Sequence, residues 1–314
     1  MAPLNQFLSS YYNKITEPKF QPIFELPHNE IKGLICIFHG LGSDPSQYKH
    51  LVKFLSLNNF AACSFGLPGH RSSNQDEFSL TKNSINDFVE LLTDTLSEIQ
   101  KNQVDLFFIG VSFGASFARH FADQFKRPLV NAAPFIEPYQ WSGFLILKLL
   151  HTFDYIPLLN LGSRISQTLP KVAIVSPRHM PTNGSGLGKL PANAILNAYS
   201  WAQSCHFAPK QMSKALLLFS INDKTVSNTS AKYIYPKTKQ REYDTPHNIL
   251  SEIDNNDKNL NKVKIDILRF FTQSQLSPRL HHRSSPIPYL EQLYVILHKI
   301  IKKIFNNIKY QINY

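Results

Sequence analysis

The chain has 314 residues, of which 43% are apolar and 18% charged; this balance is that of a globular protein and excludes a disordered or fibrous one. The length accommodates one large α/β domain or two small ones, with a core that needs no disulfide or structural metal. The formal net charge is +11, but no nucleic-acid-binding motif accompanies it, so we expect no nucleic-acid partner.

No segment of the sequence is predicted to cross a membrane. The first 20 residues contain no basic stretch followed by an apolar one, so no standard signal peptide is expected. The longest mainly apolar stretch, residues 144–161, is interrupted by charged residues and a proline. Cys36 and Cys63 lie inside apolar runs, which favours buried reduced thiols. We therefore expect a cytoplasmic protein, attached to a membrane at most peripherally.

Short apolar runs alternate with helical patterns in the first 135 residues and again after residue 210. This alternation is typical of βαβ units, so we predict an α/β fold with a mostly parallel, doubly wound sheet. The apolar runs predict strands at residues 33–38, 60–65, 106–109, 129–133 and 215–219, and a further short strand is predicted near residues 241–243. Helical spacing predicts helices over residues 84–99 and 262–271, and a further helix that follows residue 112 and continues to residue 122.

Residues 136–210 interrupt the alternation and are predicted to form a helical cap, so that the core comprises residues 1–135 and 211–275. The many leucines of this insertion suit either a lid over an apolar pocket or an ordinary apolar cap core. The glycine-rich stretch 183–188 has neither the preceding strand nor the following Lys-Ser/Thr of a phosphate-binding loop. We therefore interpret it as a flexible loop.

The last segment, residues 276–314, is predicted to be a linker followed by a basic amphipathic helix. It contains six Lys/Arg residues and one Glu, so its net charge is 6 − 1 = +5. Between Leu290 and Ile308 apolar residues recur at helical spacing on one face, with lysines on the other. Such a helix is suited to an anionic membrane surface. The alternative is that it packs on the body of the protein or on a partner protein.

The strongest chemical motif is Gly110-Val111-Ser112-Phe113-Gly114, which lies between a predicted buried strand and a predicted helix. A sharp strand-to-helix turn needs glycines beside the serine, because side chains there would collide with the neighbouring strand and helix. Such a turn raises the hydroxyl above the edge of the sheet, which predicts that Ser112 is a nucleophile. The alternative is a serine that caps the helix N-terminus.

A serine hydroxyl becomes a good nucleophile only when a base takes its proton. In this type of sheet an Asp or Glu and then a His follow the serine along the chain, each after a later strand. Asp223 follows the fifth predicted strand, and His247 follows the last, so we predict the catalytic triad Ser112, Asp223 and His247. Asp244 is the alternative carboxylate.

The anionic intermediate of such a reaction needs two converging N–H donors. One is predicted to be the amide of Phe113, directly after the nucleophile, and the other the amide of Leu41 in the loop after the first predicted strand. His39, at the start of that loop, is interpreted as a scaffold residue, and His120 and His206 are interpreted as structural.

Together these motifs resemble the monoacylglycerol lipase and lysophospholipase group of the α/β-hydrolases, over about residues 31–271. The similar sequences are Phe38-His39-Gly40-Leu41-Gly42, Gly66-Leu67-Pro68-Gly69-His70, the serine motif, Asn222-Asp223-Lys224-Thr225-Val226-Ser227 and Pro246-His247. The resemblance implies an α/β-hydrolase fold with a helical cap, and a metal-independent esterase or lipase that needs no cofactor. The chain departs from the group at Gly66, where Asp is usual, and at Arg71, where Gly is usual. It also has Gly-Val-Ser-Phe-Gly where the group commonly has Gly-His-Ser-Met-Gly.

We therefore expect a serine hydrolase that cleaves carboxylic esters through an acyl-enzyme on Ser112. The expected substrate is a lipid ester such as a monoacylglycerol or a lysophospholipid. Two alternatives are open at this stage: hydrolysis of small esters or thioesters, and an inactive hydrolase-like scaffold that binds lipid or a membrane. The sequence does not indicate an oligomeric state.

Overall fold

The structure is a computed structural model, and it describes residues 7, 11–13, 15, 17–72, 78–137, 151, 172–173, 189–206, 214–235, 238–251 and 257–275. Much of the predicted cap, including the glycine-rich stretch 183–188, and all of the predicted tail at 276–314 lie outside the described residues. No helix among the described residues is both long and apolar enough to cross a bilayer.

Nine strands occur in the described part of the chain. They are Ile23–Glu25 (β1), Leu34–Phe38 (β2), Ala61–Phe65 (β3), Leu106–Val111 (β4), Leu129–Ala132 (β5), Val172–Ala173 (β6), Lys189–Leu190 (β7), Ala215–Ser220 (β8) and Lys239–Tyr243 (β9). Seven of them form one sheet in the order β1-β3-β2-β4-β5-β8-β9. β1 is antiparallel to β3, and the other neighbouring pairs of this sheet are parallel. β6 and β7 form a separate antiparallel pair.

Helices cover both faces of the sheet. They are Lys49–Leu57 (α1), Lys82–Lys101 (α2), Gly114–Phe125 (α3), Ala192–His206 (α4), Asn228–Ile234 (α5) and Asp257–Gln275 (α6), with short 3-10 helices at Pro18–Phe20 and Pro45–Tyr48. Apolar residues of α1 and α6 share a core on one face, and those of α2, α3 and α4 share a core on the other. The sheet is therefore doubly wound, as predicted.

The central strand β4 shows why these residues form a buried sheet. All six of its residues are buried, and alternate side chains point to opposite faces. Leu106 and Phe108 pack in the core beneath α2 and α3, whereas Phe107 and Ile109 pack in the core beneath α1 and α6. A parallel strand that is covered on both faces needs apolar residues at every position, and this is the continuous run seen in the sequence.

The segment before β1 packs against the loop that follows β3. The Tyr12 hydroxyl donates a hydrogen bond to the carbonyl oxygen of Gly66 at 3.1 Å. A side chain at position 66 would bring its first carbon to 2.6 Å from the carbonyl oxygen of Phe20. The guanidinium of Arg71 lies 5.8 Å from the centre of the Tyr11 ring. Two positions at which the chain departs from the lipase group, 66 and 71, therefore both contact this segment.

The structure confirms the predicted sheet class, and the predicted strands agree with the observed ones to within about two residues. β1 was not predicted, because a three-residue edge strand of half-buried side chains leaves no long apolar run. α2 begins earlier than the predicted residue 84, because Thr81 caps the helix by accepting a hydrogen bond from the Ser84 amide at 3.0 Å. The boundaries of the cap stay a prediction.

Candidate active site

Ser112 lies in the short turn between β4 and α3 and is only 9% exposed. Its φ angle is +52°, a left-handed conformation that costs a residue other than glycine roughly 1 kcal/mol or more. The turn is held by its backbone. The Ser112 amide donates to the carbonyl oxygen of Ala132 at 2.9 Å, and the Ser112 carbonyl oxygen accepts from the amide of Phe135 at 3.0 Å. The surrounding structure therefore imposes the strained conformation on the serine.

The glycines at positions 110 and 114 are explained by close packing. A side chain on Gly110 would overlap the backbone of Ala115, and one on Gly114 would overlap the carbonyl oxygen of Phe38 in the neighbouring strand. In each case the obstacle is backbone and cannot rotate away. The G-x-S-x-G motif is therefore a steric requirement of the turn, as the sequence predicts.

Asp223 lies in the loop after β8, and its side chain is completely buried. One carboxylate oxygen accepts hydrogen bonds from the amides of Thr225 at 2.8 Å and Val226 at 3.0 Å, and the other accepts from His247 Nδ1 at 2.7 Å. Burial alone would raise the pKa of this carboxyl, but the His247 ring and the two amides outweigh it and hold the pKa below its ordinary value. The group is therefore a carboxylate at neutral pH.

His247 follows β9 and keeps 21% of its side chain exposed. Because a carboxylate only accepts hydrogen bonds, the neutral ring carries its proton on Nδ1, toward Asp223, and has a lone pair on Nε2. The alternative carboxylate, Asp244, is exposed and accepts a hydrogen bond from Asn222 Nδ2 at 2.5 Å. Asp223, and not Asp244, is thus the carboxylate that orients His247.

The sheet brings these residues to one edge. β4, β5, β8 and β9 are parallel, so the loops that follow them meet at the carboxyl edge. The segment after His247 reaches back across this edge, because Asn248 Nδ2 donates to Gln47 Oε1, which follows β2, at 2.6 Å. Among the hydrogen bonds between described residues, none joins the Ser112 hydroxyl to the His247 ring. That final contact stays a prediction, and such contacts often tighten only when substrate binds.

The two predicted N–H donors flank the serine. Phe113 is the N-cap of α3, where the amides of a helix have no acceptor within the helix. Leu41 follows Gly40, and Gly40 lies against the nucleophile: a side-chain carbon at position 40 would stand 3.3 Å from Ser112 Cβ and 3.8 Å from Ser112 Oγ. Neither amide donates a hydrogen bond to another residue of the described ranges. That these two amides receive the oxyanion stays a prediction.

Two buried histidines hold the loop that contains Leu41. His39 Nε2 accepts a hydrogen bond from the Leu67 amide at 3.0 Å, and His70 Nε2 accepts one from the Gly42 amide at 2.8 Å. Burial, and then the neighbouring His70 ring, lowers the pKa of His39 well below its usual value; burial lowers the pKa of His70 to about 4. His39 was predicted to be a scaffold residue, whereas the hydrogen bond by which His70 holds Gly42 was not predicted. The signal for His70 in the sequence is its place in Gly66-Leu67-Pro68-Gly69-His70, one of the motifs that resemble the lipase group.

A third histidine that is buried, among those the structure describes, lies between helices. His206, at the end of α4, has its Nε2 3.2 Å from Ser116 Oγ in α3 and its Nδ1 hydrogen-bonded to the Tyr235 hydroxyl. Burial lowers the pKa of His206 to about 3. This arrangement agrees with the structural interpretation of His206. Within the described residues, no three His, Cys, Asp or Glu side chains are grouped as a metal site requires.

Comparison with known proteins finds two curated relatives and a solved structure of a variant of one of them. The putative esterase/lipase 2 of Mycoplasma pneumoniae is 28% identical over 130 residues, which are 41% of this chain and 46% of that protein. The monoglyceride lipase of Saccharomyces cerevisiae is 28% identical over 153 residues, 46% of each protein. The chain thus spans about half the length of the curated relatives it matches. The solved structure of a soluble variant of that monoglyceride lipase, in complex with a substrate analog, has a TM-score of 0.64 at 15% identity and covers 81% of this chain and 91% of its own.

The structural match shows the shared α/β-hydrolase fold. The family described as "Serine aminopeptidase, S33" (Hydrolase_4) matches residues 29–245. This range covers most of the chain, includes Ser112 and Asp223, and ends two residues before His247. The chain therefore belongs to this family of serine hydrolases.

Proposed function

We propose that the chain is a serine hydrolase that cleaves carboxylic esters, with Ser112 as nucleophile, His247 as general base and Asp223 as the residue that orients His247. The observation that carries the proposal is the 2.7 Å hydrogen bond between His247 Nδ1 and the buried carboxylate of Asp223. This bond directs the unprotonated Nε2 away from Asp223, as a general base requires. The left-handed backbone of Ser112 supports the same role, because such strain in a residue other than glycine clusters at functional sites.

In the first half-reaction, His247 Nε2 takes the proton of the Ser112 hydroxyl while the serine oxygen attacks the ester carbonyl carbon. The carbonyl oxygen becomes an oxyanion, which the amides of Leu41 and Phe113 stabilise. The bond to the alcohol oxygen then breaks, and His247 returns the proton to the departing alcohol. Water attacks the acyl-enzyme in the same way, and the products are a carboxylic acid and free Ser112. Every step balances without a cofactor.

The substrate we propose is a lipid ester, such as a monoacylglycerol or a lysophospholipid. The names of the two curated relatives, an esterase/lipase and a monoglyceride lipase, support an ester substrate. An apolar acyl group is supported by the core beside the nucleophile, where Ile195 and Ala198 of α4 join Phe113 and Phe117. We assign α4 to a cap formed by residues 136–210, on a core of residues 1–135 and 211–275.

The test is a substrate panel for the purified chain and its Ser112→Ala variant. It contains p-nitrophenyl esters of 2 to 16 carbons, a monoacylglycerol, a lysophosphatidylcholine, an acyl thioester and an aminoacyl p-nitroanilide. We expect hydrolysis of the lipid esters that Ser112→Ala abolishes. Hydrolysis of the anilide alone would favour the aminopeptidase activity in the family's description, and preference for two-carbon esters or the thioester would favour the small-substrate alternative. No turnover of any compound would contradict the proposal.

We also propose that the chain acts in the cytoplasm and reaches an anionic membrane surface through residues 276–314. The support is the +5 net charge of this segment and its helical spacing of apolar residues. The test is sedimentation with vesicles of phosphatidylcholine alone or with phosphatidylserine. We expect binding only to the anionic vesicles, and loss of binding when Lys299, Lys302 and Lys303 are replaced by glutamate. Equal binding of both vesicles, or no effect of the substitutions, would contradict this proposal.

A further inference from the structure

The loop that carries the Leu41 amide and the loop that follows β3 are joined by two histidines, and each histidine bonds to the loop of the other. His39, at the end of β2, accepts from the Leu67 amide in the second loop at 3.0 Å. His70, in the second loop, accepts from the Gly42 amide in the first at 2.8 Å. The two rings meet edge to face, with centroids 4.7 Å apart. The bonding is therefore reciprocal.

Both rings are required to be in the same neutral tautomer. Each Nε2 accepts from a backbone amide and so carries no proton. Each Nδ1 lies against a backbone carbonyl oxygen, that of Gly40 for His39 at 2.8 Å and that of Pro68 for His70 at 2.9 Å. A ring with its proton on Nδ1 satisfies both contacts. An imidazolium would also carry a proton on Nε2, so that its N–H would face the N–H of the backbone amide. Water cannot take over these bonds, because both side chains are 0% exposed.

These bonds fix the residues on both sides of Leu41. Gly40 is held through its carbonyl oxygen by His39, and Gly42 is held through its amide by His70. Gly40 in turn lies against Ser112, with 3.3 Å between the position of a side-chain carbon on residue 40 and Ser112 Cβ. The position of the Leu41 amide relative to the nucleophile is thus set by the two rings.

The second loop is itself anchored on its far side. The Tyr12 hydroxyl donates to the Gly66 carbonyl oxygen at 3.1 Å, and the Ser72 hydroxyl donates to the Glu17 carboxylate at 3.0 Å. The segment before β1 therefore bonds to the loop at Gly66 and at Ser72, on either side of Leu67 and His70. Because the loop is anchored, His70 can hold Gly42 in place.

We propose that His39 and His70 are positioning residues for the oxyanion-stabilising step, and that they act together through the loop to hold the Leu41 amide at the place where the oxyanion forms. This inference rests on the proposed function, since an oxyanion donor matters only if Ser112 is acylated. An error of about 1 Å in the position of a catalytic group costs on the order of 100-fold in rate, so the two rings have a large effect without contacting substrate.

The test compares His70→Leu, which removes the acceptor for Gly42, with His70→Gln, whose side-chain oxygen can approach the position of Nε2. For p-nitrophenyl butyrate we expect His70→Leu to lower kcat about 100-fold while KM changes less than about threefold, because loss of one oxyanion donor costs about 10²–10³-fold in kcat. His70→Gln should recover about a tenth or more of the activity. The affinity for butylboronic acid, whose tetrahedral adduct on Ser112 mimics the oxyanion, should fall in parallel with kcat.

The matched control is Ser56→Ala, which also removes a hydrogen bond between a side chain and a distant backbone group, here the carbonyl oxygen of Leu26 at 3.0 Å, but at the opposite edge of the sheet. We expect it to lower Tm without changing kcat or boronate affinity. If His70→Leu does not fold, nitrogen NMR of the wild-type histidines decides, because both buried rings must carry the proton on Nδ1. Unchanged kcat in folded His70→Leu, an equal fall in Ser56→Ala, or the other tautomer would overturn the inference. A wild type that hydrolyses no ester would instead overturn the proposed function.

Discussion

The carboxylate of Asp223 uses its two oxygens for different partners. One accepts from the amides of Thr225 and Val226 and so fixes its own loop, and the other holds His247. The orientation of the His247 ring therefore depends on the loop after β8, which the same carboxylate stabilises. The shape and the charge of the Asp223 side chain can each contribute to holding His247. Replacing the carboxylate by an amide keeps the shape and removes the charge, so it separates the two contributions.

Asp223→Asn keeps the shape of the side chain but removes its charge and its fixed acceptor toward Nδ1. The wrong tautomer of His247 then becomes available, and we expect kcat for p-nitrophenyl butyrate to fall by about 10³–10⁴-fold. The control is Asp244→Asn, because this exposed carboxylate bonds to Asn222 and not to the ring; its kcat should stay within about twofold of the wild type. Equal losses in the two variants would contradict the assignment of Asp223.

Gly40→Ala tests the closeness of the loop to the nucleophile. The new methyl group would stand 3.3 Å from Ser112 Cβ and 3.8 Å from Ser112 Oγ, which is a tight contact with the reacting side chain. We expect kcat to fall by about tenfold or more, because a misplaced nucleophile loses its aligned geometry, while Tm changes by only a few degrees. Steady-state kinetics and a thermal melt measure both. Full activity in this variant would show that the loop is not close to the nucleophile.

The residues of the triad could be predicted because each follows a predicted strand, and parallel strands end at the same edge. The reciprocal bonds of His39 and His70 could not be predicted. Each joins a ring to a backbone amide 28 residues away, and such a bond leaves no trace in local spacing. Hydrogen bonds to backbone amides are set by the fold and not by a residue pattern.

At the scale of elements, the last helix of the predicted cap is joined to the nucleophile helix by a buried polar contact. His206 of α4 bonds to Ser116 of α3 and to Tyr235, the C-cap residue of α5. Buried polar groups of this kind contribute little while they are paired, but they are costly when a partner is removed. The contact therefore fixes how these three helices meet.

Tyr235→Phe should destabilise the chain and leave its chemistry intact. Removing the hydroxyl leaves the buried Nδ1 of His206 without its partner, so we expect the free energy of unfolding to fall by about 1–3 kcal/mol. Tyr233→Phe is the control, because this tyrosine lies only two residues earlier, in α5, and is 82% exposed. Urea unfolding measures the two variants. Equal stabilities would show that the buried contact does not contribute.

The elements that could be predicted are those with a complete local signal. β4 and α3 are such a pair, because a fully apolar strand, a glycine-flanked turn and a helical pattern follow one another without a gap. β1 has no such signal. Its place in the sheet comes from pairing with β3, in which Phe24 stands beside Cys63, and this pairing is a tertiary effect.

At the scale of the whole molecule, three histidines that are fully or almost fully buried in the described part of the chain make the fold sensitive to acid. Burial is the first cause in each case: it lowers the pKa of His39 well below its usual value, that of His70 to about 4 and that of His206 to about 3. A group with a lowered pKa in the folded state binds fewer protons when folded than when unfolded. Folding is therefore disfavoured as the pH falls below the unfolded pKa of about 6.5.

We expect the free energy of unfolding to fall by up to about 6 kcal/mol between pH 7 and pH 5, since each histidine contributes up to about 1.4 kcal/mol per pH unit. Asp223 adds nothing in this window, because its lowered pKa matters only below the usual range of a carboxyl group. Urea unfolding at both pH values measures the change, and His206→Gln should remove about a third of it. A stability that does not depend on pH would contradict the buried neutral histidines.

The central claim is that His247 activates Ser112, and the rate of labelling by a fluorophosphonate with peptide mapping tests it most directly. The reagent forms a covalent bond with a serine oxygen only when a base removes its proton, so an inactive scaffold is not labelled. We predict a single adduct on the peptide that contains Ser112, none in Ser112→Ala, and labelling at least about 10³-fold slower in His247→Ala. An adduct on another residue, or an unchanged rate without the imidazole, would contradict the account.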